Sequence, residues 1–313
     1  MEMRTVATGL EFPEGPLVLP DGDLLVTEIR GGRLTRVTAD GGTSAFAVTG
    51  GGPNGAAIGP DGAIYVAQNG GFAWTERVSP TTGQRAIFPG DRPDDYIGGQ
   101  IQRVSADGAQ VTTLYRDCDG EPLKGPNDLV FDAEGNFYFT DHGKTYGRQR
   151  DRTGVFYASP DGRMIKEIIW PMEAPNGAGL SPDGRTLYVA ETPTGRVWAF
   201  DLTGPGEVGR RRVLATVPGA PPLNVAYCDS MCVDAEGNVI VATIVNGGVT
   251  SISPDGARVD HTPCPDPLTT NACFGGPDLR TLYVTLSTRG ELVAFDDWPT
   301  RGLPLSQPAA SPA

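Results

Sequence analysis

Six oxygen-bearing side chains recur along the 313-residue chain at one fixed distance from a turn. In each case a Glu, Asp or Asn stands eight residues ahead of the turn position. The six pairs are Glu14 and Gly22, Asn54 and Gly62, Asn127 and Gly135, Asn176 and Gly184, Asp229 and Gly237, and Asn271 and Leu279. Five of the turns are Asp-Gly or Glu-Gly, and a β-rich run follows all six. The chain is therefore predicted to contain six equivalent strands, each beginning with an oxygen-bearing side chain.

A second repeated motif is interleaved with the first, because a Gly-flanked stretch with alternating apolar residues follows each β-rich run. The six stretches are 31–37, 98–104, 153–159, 194–200, 247–253 and 289–295. Six units in this chain average roughly fifty residues each, which suits a four-stranded propeller blade. We predict an all-β fold, a six-bladed β-propeller with four-stranded blades around a central metal-containing channel. A β-sandwich is the competing all-β fold, but it gives no reason for six polar positions in one register.

The repeats extend over almost the whole chain, which predicts a single propeller domain at residues 1–305. The last eight residues, 306–313, have the composition of a disordered tail. Residues 69–97 form the longest break between repeat motifs and include Phe72 and Trp74. An insertion in a ring fold usually lies over one face. This one is interpreted either as a lid or substrate wall or as a plain surface loop.

The composition restricts the partners. The net charge is −13 and the isoelectric point is about 4.6, which argues against nucleic acid because a phosphate backbone requires a basic surface. No apolar run reaches the length that a bilayer demands, so no membrane partner is expected. The first residues lack the apolar core of a signal peptide, and the cytoplasm is the expected location.

Several catalytic motifs are missing from the sequence. The histidines are His142 and His261, there is no GxSxG or GxxxxGK[ST] motif, and no GxGxxG motif is predicted to open a helix. Serine-hydrolase and nucleotide-dependent chemistry therefore have no support in the sequence. The five cysteines include no CxxC pair. Cys228 and Cys232 bracket Asp229, but buried thiols are more often core filler than soft-metal ligands.

If the six strands form a ring, their oxygen-bearing side chains converge on one axis. Two carboxylates there would repel each other unless a cation or a proton lay between them. Asn and Asp at strand starts also commonly satisfy backbone groups. A purely structural Asn should have stayed Asn, however, whereas the position is Glu14 in the first unit and Asp229 in the fifth. The ring is therefore predicted to hold one hard divalent cation.

Five segments carry a resemblance to a known family. The stretches EFPEGPLVLPDG, KGPNDLVFDAEGNFYFTD, APNGAGLSPDGRTLYVAET, CDSMCVDAEGNVIVAT and TNACFGGPDLRTLYVT resemble the regucalcin/gluconolactonase/luciferin-regenerating-enzyme family, in the order that the family shows them. The resemblance extends from Glu11 to about Phe295. It implies a six-bladed propeller that holds one divalent cation in its channel and hydrolyses lactones. Calcium is the expected ion, with zinc, manganese and iron(II) as alternatives.

Matching the family motifs residue by residue implies three metal ligands, Glu14, Asn176 and Asp229. Asn127 matches a family residue at the metal or at the substrate. Asn54 and Asn271 have no role in the family pattern and are predicted to line the substrate pocket. Sugar-lactonase members carry an Arg where this chain has Gly125. A less polar lactone or another ester is therefore considered beside a sugar lactone.

The predicted function is metal-dependent lactone hydrolysis, with Asp229 as the general base that takes a proton from water. His142 is a candidate substrate contact and proton donor, with a surface histidine as the alternative interpretation. Trp74 is a candidate apolar wall for the substrate, with ordinary blade packing as its alternative. The other functions considered are a phosphotriesterase-like hydrolase on the same cation, a non-catalytic calcium- or ligand-binding propeller, and an interaction scaffold.

Overall fold

All regular elements in the part of the chain that the computed structural model describes are β-strands. The described residues are 1–78, 83, 85–221 and 224–304. The described part offers no helix with the length and apolar character that crossing a membrane requires. The predicted tail at 306–313 lies outside the described residues.

Strands β2 to β11 build the first two blades and one additional hairpin, and β1 precedes them. Strand β1 is Met3–Ala7. Blade 1 follows with β2 Pro13–Val18, β3 Leu24–Glu28, β4 Arg33–Val37 and β5 Thr43–Val48. Blade 2 begins with β6 Pro53–Ile58 and β7 Ile64–Gln68. A separate hairpin, β8 Trp74–Val78 and β9 Arg85–Pro89, interrupts it. Blade 2 then ends with β10 Gln100–Val104 and β11 Val111–Tyr115.

Blades 3 and 4 follow, together with two very short hairpins. The first short hairpin is β12 Asp117–Cys118 and β13 Glu121–Pro122. Blade 3 begins with β14 Pro126–Phe131 and β15 Phe137–Asp141. The second short hairpin is β16 Thr145–Tyr146 and β17 Gln149–Arg150. Blade 3 ends with β18 Thr153–Ala158 and β19 Ile165–Met172. Blade 4 is β20 Pro175–Leu180, β21 Thr186–Glu191, β22 Arg196–Gly204 and β23 Glu207–Thr216.

Blades 5 and 6 complete the fold. Blade 5 is β24 Tyr227–Val233, β25 Val239–Ile244, β26 Gly248–Ile252 and β27 Val259–Pro263. Blade 6 is β28 Thr269–Gly275, β29 Thr281–Leu286 and β30 Glu291–Phe295, with β1 as its outermost strand. The two ends of the chain therefore share one sheet.

The innermost strands form a closed ring. They are β2, β6, β14, β20, β24 and β28, each contacts the next, and β28 contacts β2. The six-bladed propeller predicted from the repeats is confirmed, and the sandwich alternative is wrong. The second motif is confirmed as well, because its six stretches supply the third strand of every blade.

Each strand contributes to two hydrophobic cores, one on either side of its blade. Ile64 and Val66 of β7 pack between blades 1 and 2, whereas Tyr65 and Ala67 pack between blades 2 and 3. One such apolar cluster lies at each of the six interfaces between blades. Because successive side chains of a strand point to opposite faces, a blade covered on both faces requires a continuous apolar run. This explains the runs that follow the six turns.

The six turns that define the repeat share one backbone geometry. In each, the turn residue donates its N–H to the carbonyl three residues earlier, as Gly22 does to Leu19 at 2.9 Å. Each turn residue also has a positive φ, from 58° to 93°. Five of them are Gly, which adopts this conformation without steric cost. The sixth is Leu279, with φ 58°, so the geometry persists where the glycine has been lost.

Replacing Leu279 by Gly is expected to raise the free energy of unfolding by about 1 kcal/mol, because a side chain in the left-handed region costs about that much. Urea denaturation of the wild type and the variant would measure the difference. Leu279→Ala is the control, since it shortens the side chain and keeps the strained backbone. An equal stabilisation by Ala would contradict the assignment of the strain to the backbone.

Candidate functional site

The six register side chains lie together at one end of the ring. Each belongs to an innermost strand and stands at its second or third residue. All are buried, with exposed fractions from 2% for Glu14 to 9% for Asp229. We call the end of the channel where the innermost strands begin the mouth. The six side chains therefore form a ring just inside the mouth.

The innermost strands are irregular at the register positions. In blade 1, Glu14 pairs with Thr27 but Leu17 pairs with Leu25, so the inner strand advances three residues while its partner advances two. A comparable shift occurs at this level in the other five blades. A bulge of this kind redirects a side chain that regular pairing would fix on one face. The bulges explain how successive polar residues can be presented near the axis.

Small residues allow neighbouring innermost strands to approach closely. The residue after the register position is Gly15, Gly55 and Gly177 in blades 1, 2 and 4. A Cβ atom on Gly55 would lie 2.6 Å from the carbonyl oxygen of Asn127. One on Gly177 would lie 2.8 Å from the carbonyl oxygen of Asp229. The register residues of adjacent blades are thus held against one another through their backbones.

Two threonines, each on the second strand of its blade, form hydrogen bonds to the backbone of the ring. The Thr27 hydroxyl donates to the carbonyl oxygen of Asn54 at 2.6 Å, and the Thr140 hydroxyl donates to that of Asn176 at 2.5 Å. Each bond joins one blade to the register residue of the next. Buried hydroxyl groups paired in this way fix the backbone from which a register side chain projects.

The two carboxylates of the register are strongly perturbed. Oε2 of Glu14 accepts the N–H of Gly15 at 2.7 Å and Nδ2 of Asn271 at 2.7 Å. Burial nevertheless raises the pKa of Glu14 to about 7. Burial, together with the nearby charge of Glu14, raises the pKa of Asp229 well above its ordinary range. Two buried carboxylates that repel each other would be stabilised in their charged form by a cation.

A third carboxylate, Asp128, was not predicted as a site residue. Its Oδ1 accepts the N–H of Leu129 at 2.9 Å, and its Oδ2 accepts the N–H of Ala178 at 3.1 Å. Burial raises the pKa of Asp128 to about 7, and the charge of Glu14 contributes in the same direction. Asp128 occupies the position that is Gly, Ser or Ala in the other five repeats. That exception was the signal by which the sequence could have identified it.

The ring fits a hard divalent cation. The Oδ1 atoms of Asn54 and Asn127 are buried and have no hydrogen-bond partner among the described residues. These oxygens stand in the same ring as the carboxylates of Glu14 and Asp229, and carboxylate and amide oxygens are what calcium prefers. In the described part of the chain no three His, Cys, Asp or Glu side chains group as a metal site. The candidate set instead combines two carboxylates with amides.

The remaining amides of the ring are engaged with neighbouring residues. Nδ2 of Asn176 donates to the hydroxyl of Thr192 at 3.1 Å, which leaves Oδ1 to face Ser230 at 3.4 Å. Asn271 donates to Glu14 and so orients that carboxylate. The predicted assignments of Asn176 as a ligand and Asn271 as pocket lining stay predictions.

His142 and Lys144 follow β15 at the mouth, where Lys144 is buried and His142 is half-buried. Nδ1 of His142 is buried without a partner among the described residues, and burial lowers the pKa of the imidazole well below its usual value. Both interpretations of His142, as a substrate contact and as a surface histidine, stay predictions. Nζ of Lys144 donates to the carbonyl of Gly71 at 2.6 Å and to Oδ1 of Asn69 at 3.2 Å. Burial lowers the pKa of Lys144 to about 7.

Trp74 and Phe72 lie in the additional hairpin and its first connection, outside the blades. The ring of Trp74 is 4.9 Å from that of Phe12 and 6.1 Å from that of Phe72, measured between centroids. Phe12 stands two residues before Glu14, so these aromatic side chains lie at the mouth. The alternative of ordinary blade packing for Trp74 is wrong, because β8 pairs with β9 alone.

Cys228 and Cys232 do not form a pair. Cys228 is fully buried in the cluster between blades 4 and 5, whereas Cys232 packs against the cluster between blades 5 and 6. The two thiols thus lie on opposite faces of blade 5. Their role as core filler is confirmed for Cys228, which is 0% exposed.

Comparisons with known proteins agree with this architecture. The sequence profile of the SMP-30/Gluconolactonase/LRE-like region matches residues 12–288. A gluconolactonase of Zymomonas mobilis is 28% identical over 322 aligned positions, which cover 91% of this chain and 79% of that protein. A diisopropyl-fluorophosphatase of Loligo vulgaris is 29% identical, over 64% of this chain and 65% of that protein. The solved structure of a gluconolactonase from Xanthomonas campestris has a TM-score of 0.73 at 24% identity, covers 93% of this chain and 88% of its own, and shows the fold.

Proposed function

The chain belongs to the SMP-30/gluconolactonase/LRE-like family, and from this premise we propose that it is a divalent-metal-dependent hydrolase that opens lactones. The observation that carries the proposal is the buried ring that holds Glu14 and Asp229 together with the unpartnered amide oxygens of Asn54 and Asn127. Such a ring is costly to bury unless it binds a cation. Relatives with gluconolactonase activity in their names support the reaction class.

Four side chains would hold the cation, namely Glu14, Asn127, Asn176 and Asp229. A bound divalent cation supplies Lewis-acid polarisation of the substrate carbonyl and lowers the pKa of nearby water. Calcium is the proposed ion because the donor atoms are all oxygens, and manganese, zinc or iron(II) are alternatives to test. Asn271 keeps Glu14 in place through its 2.7 Å hydrogen bond.

Asp229 is the proposed general base. Its carboxylate lies in the ring, and its raised pKa in the metal-free protein reflects burial and the charge of Glu14. A cation bound to the ring would favour its charged form, in which it can accept a proton from the attacking water. Asp128 is anchored through two backbone N–H groups and would add a negative charge on the blade 3 side when a bound cation favours its ionised form. His142 is the proposed substrate contact at the mouth, since its buried Nδ1 has no partner among the described residues. Its lowered pKa keeps the imidazole neutral, so it would hydrogen-bond to the substrate rather than protonate the departing oxygen.

The surroundings of the ring favour a less polar lactone over a sugar lactone. The N–H of Gly125 donates to Asp141 at 2.7 Å, and a Cβ at this position would lie 2.9 Å from the carbonyl oxygen of Gly143. An Arg side chain in place of Gly125 would therefore require the chain around Gly143 to move. The mouth is lined by Phe12, Phe72 and Trp74, which suit an apolar substituent on the lactone ring.

A second candidate reaction is the hydrolysis of phosphotriesters. The observation that favours it is the similarity to a phosphatase of diisopropyl fluorophosphate over two thirds of this chain. An oxygen-ligated cation can polarise a P=O group as well as a C=O group. A non-catalytic cation- or ligand-binding propeller and an interaction scaffold are the outcomes to consider if neither reaction is found.

The test is an assay of acid release from aliphatic and sugar-derived γ- and δ-lactones, with a phosphotriester run in parallel. The protein would be treated with EDTA, and Ca²⁺, Zn²⁺, Mn²⁺ or Fe²⁺ would then be restored separately. We expect turnover of aliphatic lactones to require the restored metal and to be lost in Asp229→Asn. The matched control is Asp255→Asn, which makes the same change in an exposed turn of the same blade.

Each outcome of the assay assigns the chemistry. Metal-dependent lactone turnover that Asp229→Asn abolishes and Asp255→Asn retains supports the proposal. Turnover of the phosphotriester alone would support phosphotriester hydrolysis instead of lactone hydrolysis. Metal binding without turnover of either substrate contradicts the hydrolase proposal and leaves a ligand-binding propeller. Lactone turnover that survives EDTA and Asp229→Asn contradicts the metal site.

A further inference from the structure

The β8–β9 hairpin passes over the mouth of the channel. It leaves blade 2 after Gln68 and returns to it at Gln100. Its aromatic side chains share one apolar cluster with Phe12 and Ile29 of blade 1, Ile244 of blade 5 and Leu268 before blade 6. On the other side the insertion contacts Lys144 of blade 3 through the carbonyl of Gly71. Blade 3 stands opposite blade 6 in a six-bladed ring, so contacts with Lys144 and with the cluster that includes Leu268 place the insertion across the mouth.

The hairpin is held by polar contacts on the side of blade 3. The ammonium group of Lys144 donates to the carbonyl of Gly71 at 2.6 Å and lies 3.7 Å from the ring centre of Phe72. The N–H of Arg92 donates to the carbonyl of Thr145 at 2.8 Å, and the N–H of Gly147 donates to Asp91 at 2.9 Å. These directed bonds tie both ends of the insertion to the loop that follows β15.

The opposite edge of the hairpin, which carries Trp74 and Phe88, is held by apolar contacts instead. We call it the far edge. There Trp74 and Phe88 pack against Phe12 and Leu268, and these contacts are apolar. Apolar contacts are non-directional and break without leaving a buried polar group unpaired. The far edge is therefore the side on which the hairpin can separate most easily from the blades.

Glycine pairs flank the insertion at both ends. Gly70 and Gly71 have φ values of 80° and 98° after Asn69, and Gly98 has φ 86° before Gly99. Glycine can change between backbone regions that other residues cannot cross without strain. Residues that absorb such changes act as hinges in moving loops. Both connections of the hairpin to blade 2 thus have the composition of a hinge.

The ring inside the mouth cannot meet a substrate while the hairpin is in place, because its six side chains are at most 9% exposed. We propose that the β8–β9 hairpin is a hinged cap, with its hinge on the blade 3 side and Trp74 on its closing edge, which opens to admit substrate to the ring. The nature of the admitted substrate rests on the proposed function. The opening itself is a property of the hairpin and can be tested separately.

Hydrogen exchange of the metal-free protein tests the opening without any ligand. The amides of Ala73 and Gly90, which bond to the carbonyls of Asp91 and Ala73, report on the closed hairpin. We expect them to exchange through a local opening that leaves the blade strands protected. Trp74→Ala should raise their exchange about tenfold or more without changing exchange in β14. Leu268→Ala, which removes a partner of the closing edge from outside the hairpin, should act in the same direction.

The matched control is Trp170→Ala, because Trp170 lies on an outer strand and is 60% exposed. It should leave the exchange of the hairpin unchanged. The cap is overturned if the hairpin amides exchange only when the blade strands do. It is also overturned if neither Trp74→Ala nor Leu268→Ala accelerates them.

Calcium binding kinetics test whether the cap controls access to the ring. A gate alters the rates of entry and exit but not the bound state. Trp74→Ala should therefore raise both the association and the dissociation rate of Ca²⁺ by the same factor, about threefold or more, with Kd unchanged within about twofold. Unchanged rates would overturn the gating role. If the wild type does not bind Ca²⁺, the proposed function fails for that ion, while hydrogen exchange still decides whether the cap opens.

Discussion

Replacing Asp229 by Asn is expected to lower kcat/KM for lactone hydrolysis by roughly 10³-fold, because the change removes both a charged ligand and the proposed base. Calcium affinity, measured by titration calorimetry, should fall in parallel. Asp229 and Asn have nearly the same shape, and Asp229 is 9% exposed, so the loss would reflect charge rather than packing. A variant that keeps its calcium affinity and its turnover would remove Asp229 from the site.

The same substitution should stabilise the metal-free protein, and this effect should depend on pH. An unfolded chain loses the proton of Asp229 near pH 3.8, whereas burial and Glu14 raise the pKa in the fold well above that value. Between these two pKa values the folded chain binds a proton that the unfolded chain has lost, so wild-type stability falls as pH rises. In EDTA, Asp229→Asn should melt above the wild type at pH 7, and the difference should shrink towards pH 3.5. A variant that melts below the wild type at pH 7 would mean that the carboxylate stabilises the empty ring.

Replacing Gly15 by Ala is expected to lower the free energy of unfolding by about 3 kcal/mol, because strain and overlap act together. Gly15 has φ 39°, and an added Cβ would overlap the carbonyl oxygen of Asn54 in the next blade. Its N–H also donates to Glu14, so the variant should lose calcium affinity as well. Urea denaturation in EDTA and calorimetric titration would measure the two effects.

Gly9→Ala is the matched control for this prediction. Gly9 also has a positive φ, 77°, but an added Cβ would meet no atom within 4 Å. It should cost about 1 kcal/mol from backbone strain alone and leave calcium affinity unchanged. Equal losses in the two variants would show that the close approach of blades 1 and 2 adds nothing.

The blade repeat could be predicted from the sequence because it depends on local chemistry. Eight residues between Glu14 and Gly22 are one strand and one turn, and the turn bond recurs in all six units. The one turn without a glycine could be predicted as well, since Leu279 has the same backbone conformation as the glycines of the other five turns. Ring closure also followed, because six in-register strands with apolar residues on both faces have to cover one another.

Asp128 could not be placed by the same reasoning. In a regular strand successive side chains point to opposite faces, so a residue beside Asn127 would be expected to face away from the axis. The pairing of β14 with β15 shifts between Pro126 and Leu129, and this bulge changes the alternation at that point. A bulge depends on the pairing of two strands, and the hydrophobic periodicity of either strand alone does not predict it.

The hairpin was visible in the sequence only as an interruption. Its position depends on contacts between residues far apart in the chain, such as Trp74 with Phe12 and Lys144 with Gly71. No local pattern specifies such contacts. The burial of Lys144 follows from the same contacts, so no pattern around this residue in the sequence could have indicated it.

The sharing of blade 6 between the two ends of the chain bears on how the protein folds and yields to force. The contact of Arg4 with Asp296 joins residues 292 positions apart, so the last sheet can form only when nearly all of the chain has been synthesised. Until then β1 has no partner strand and its backbone groups are open to other molecules. In the finished ring Met3 pairs with Phe295, which places both chain ends at the same end of this ladder. Tension applied to the two ends would therefore first load the backbone bonds that tie Arg301 and Leu303 to blade 5, and only after these break would it unzip β1 from β30.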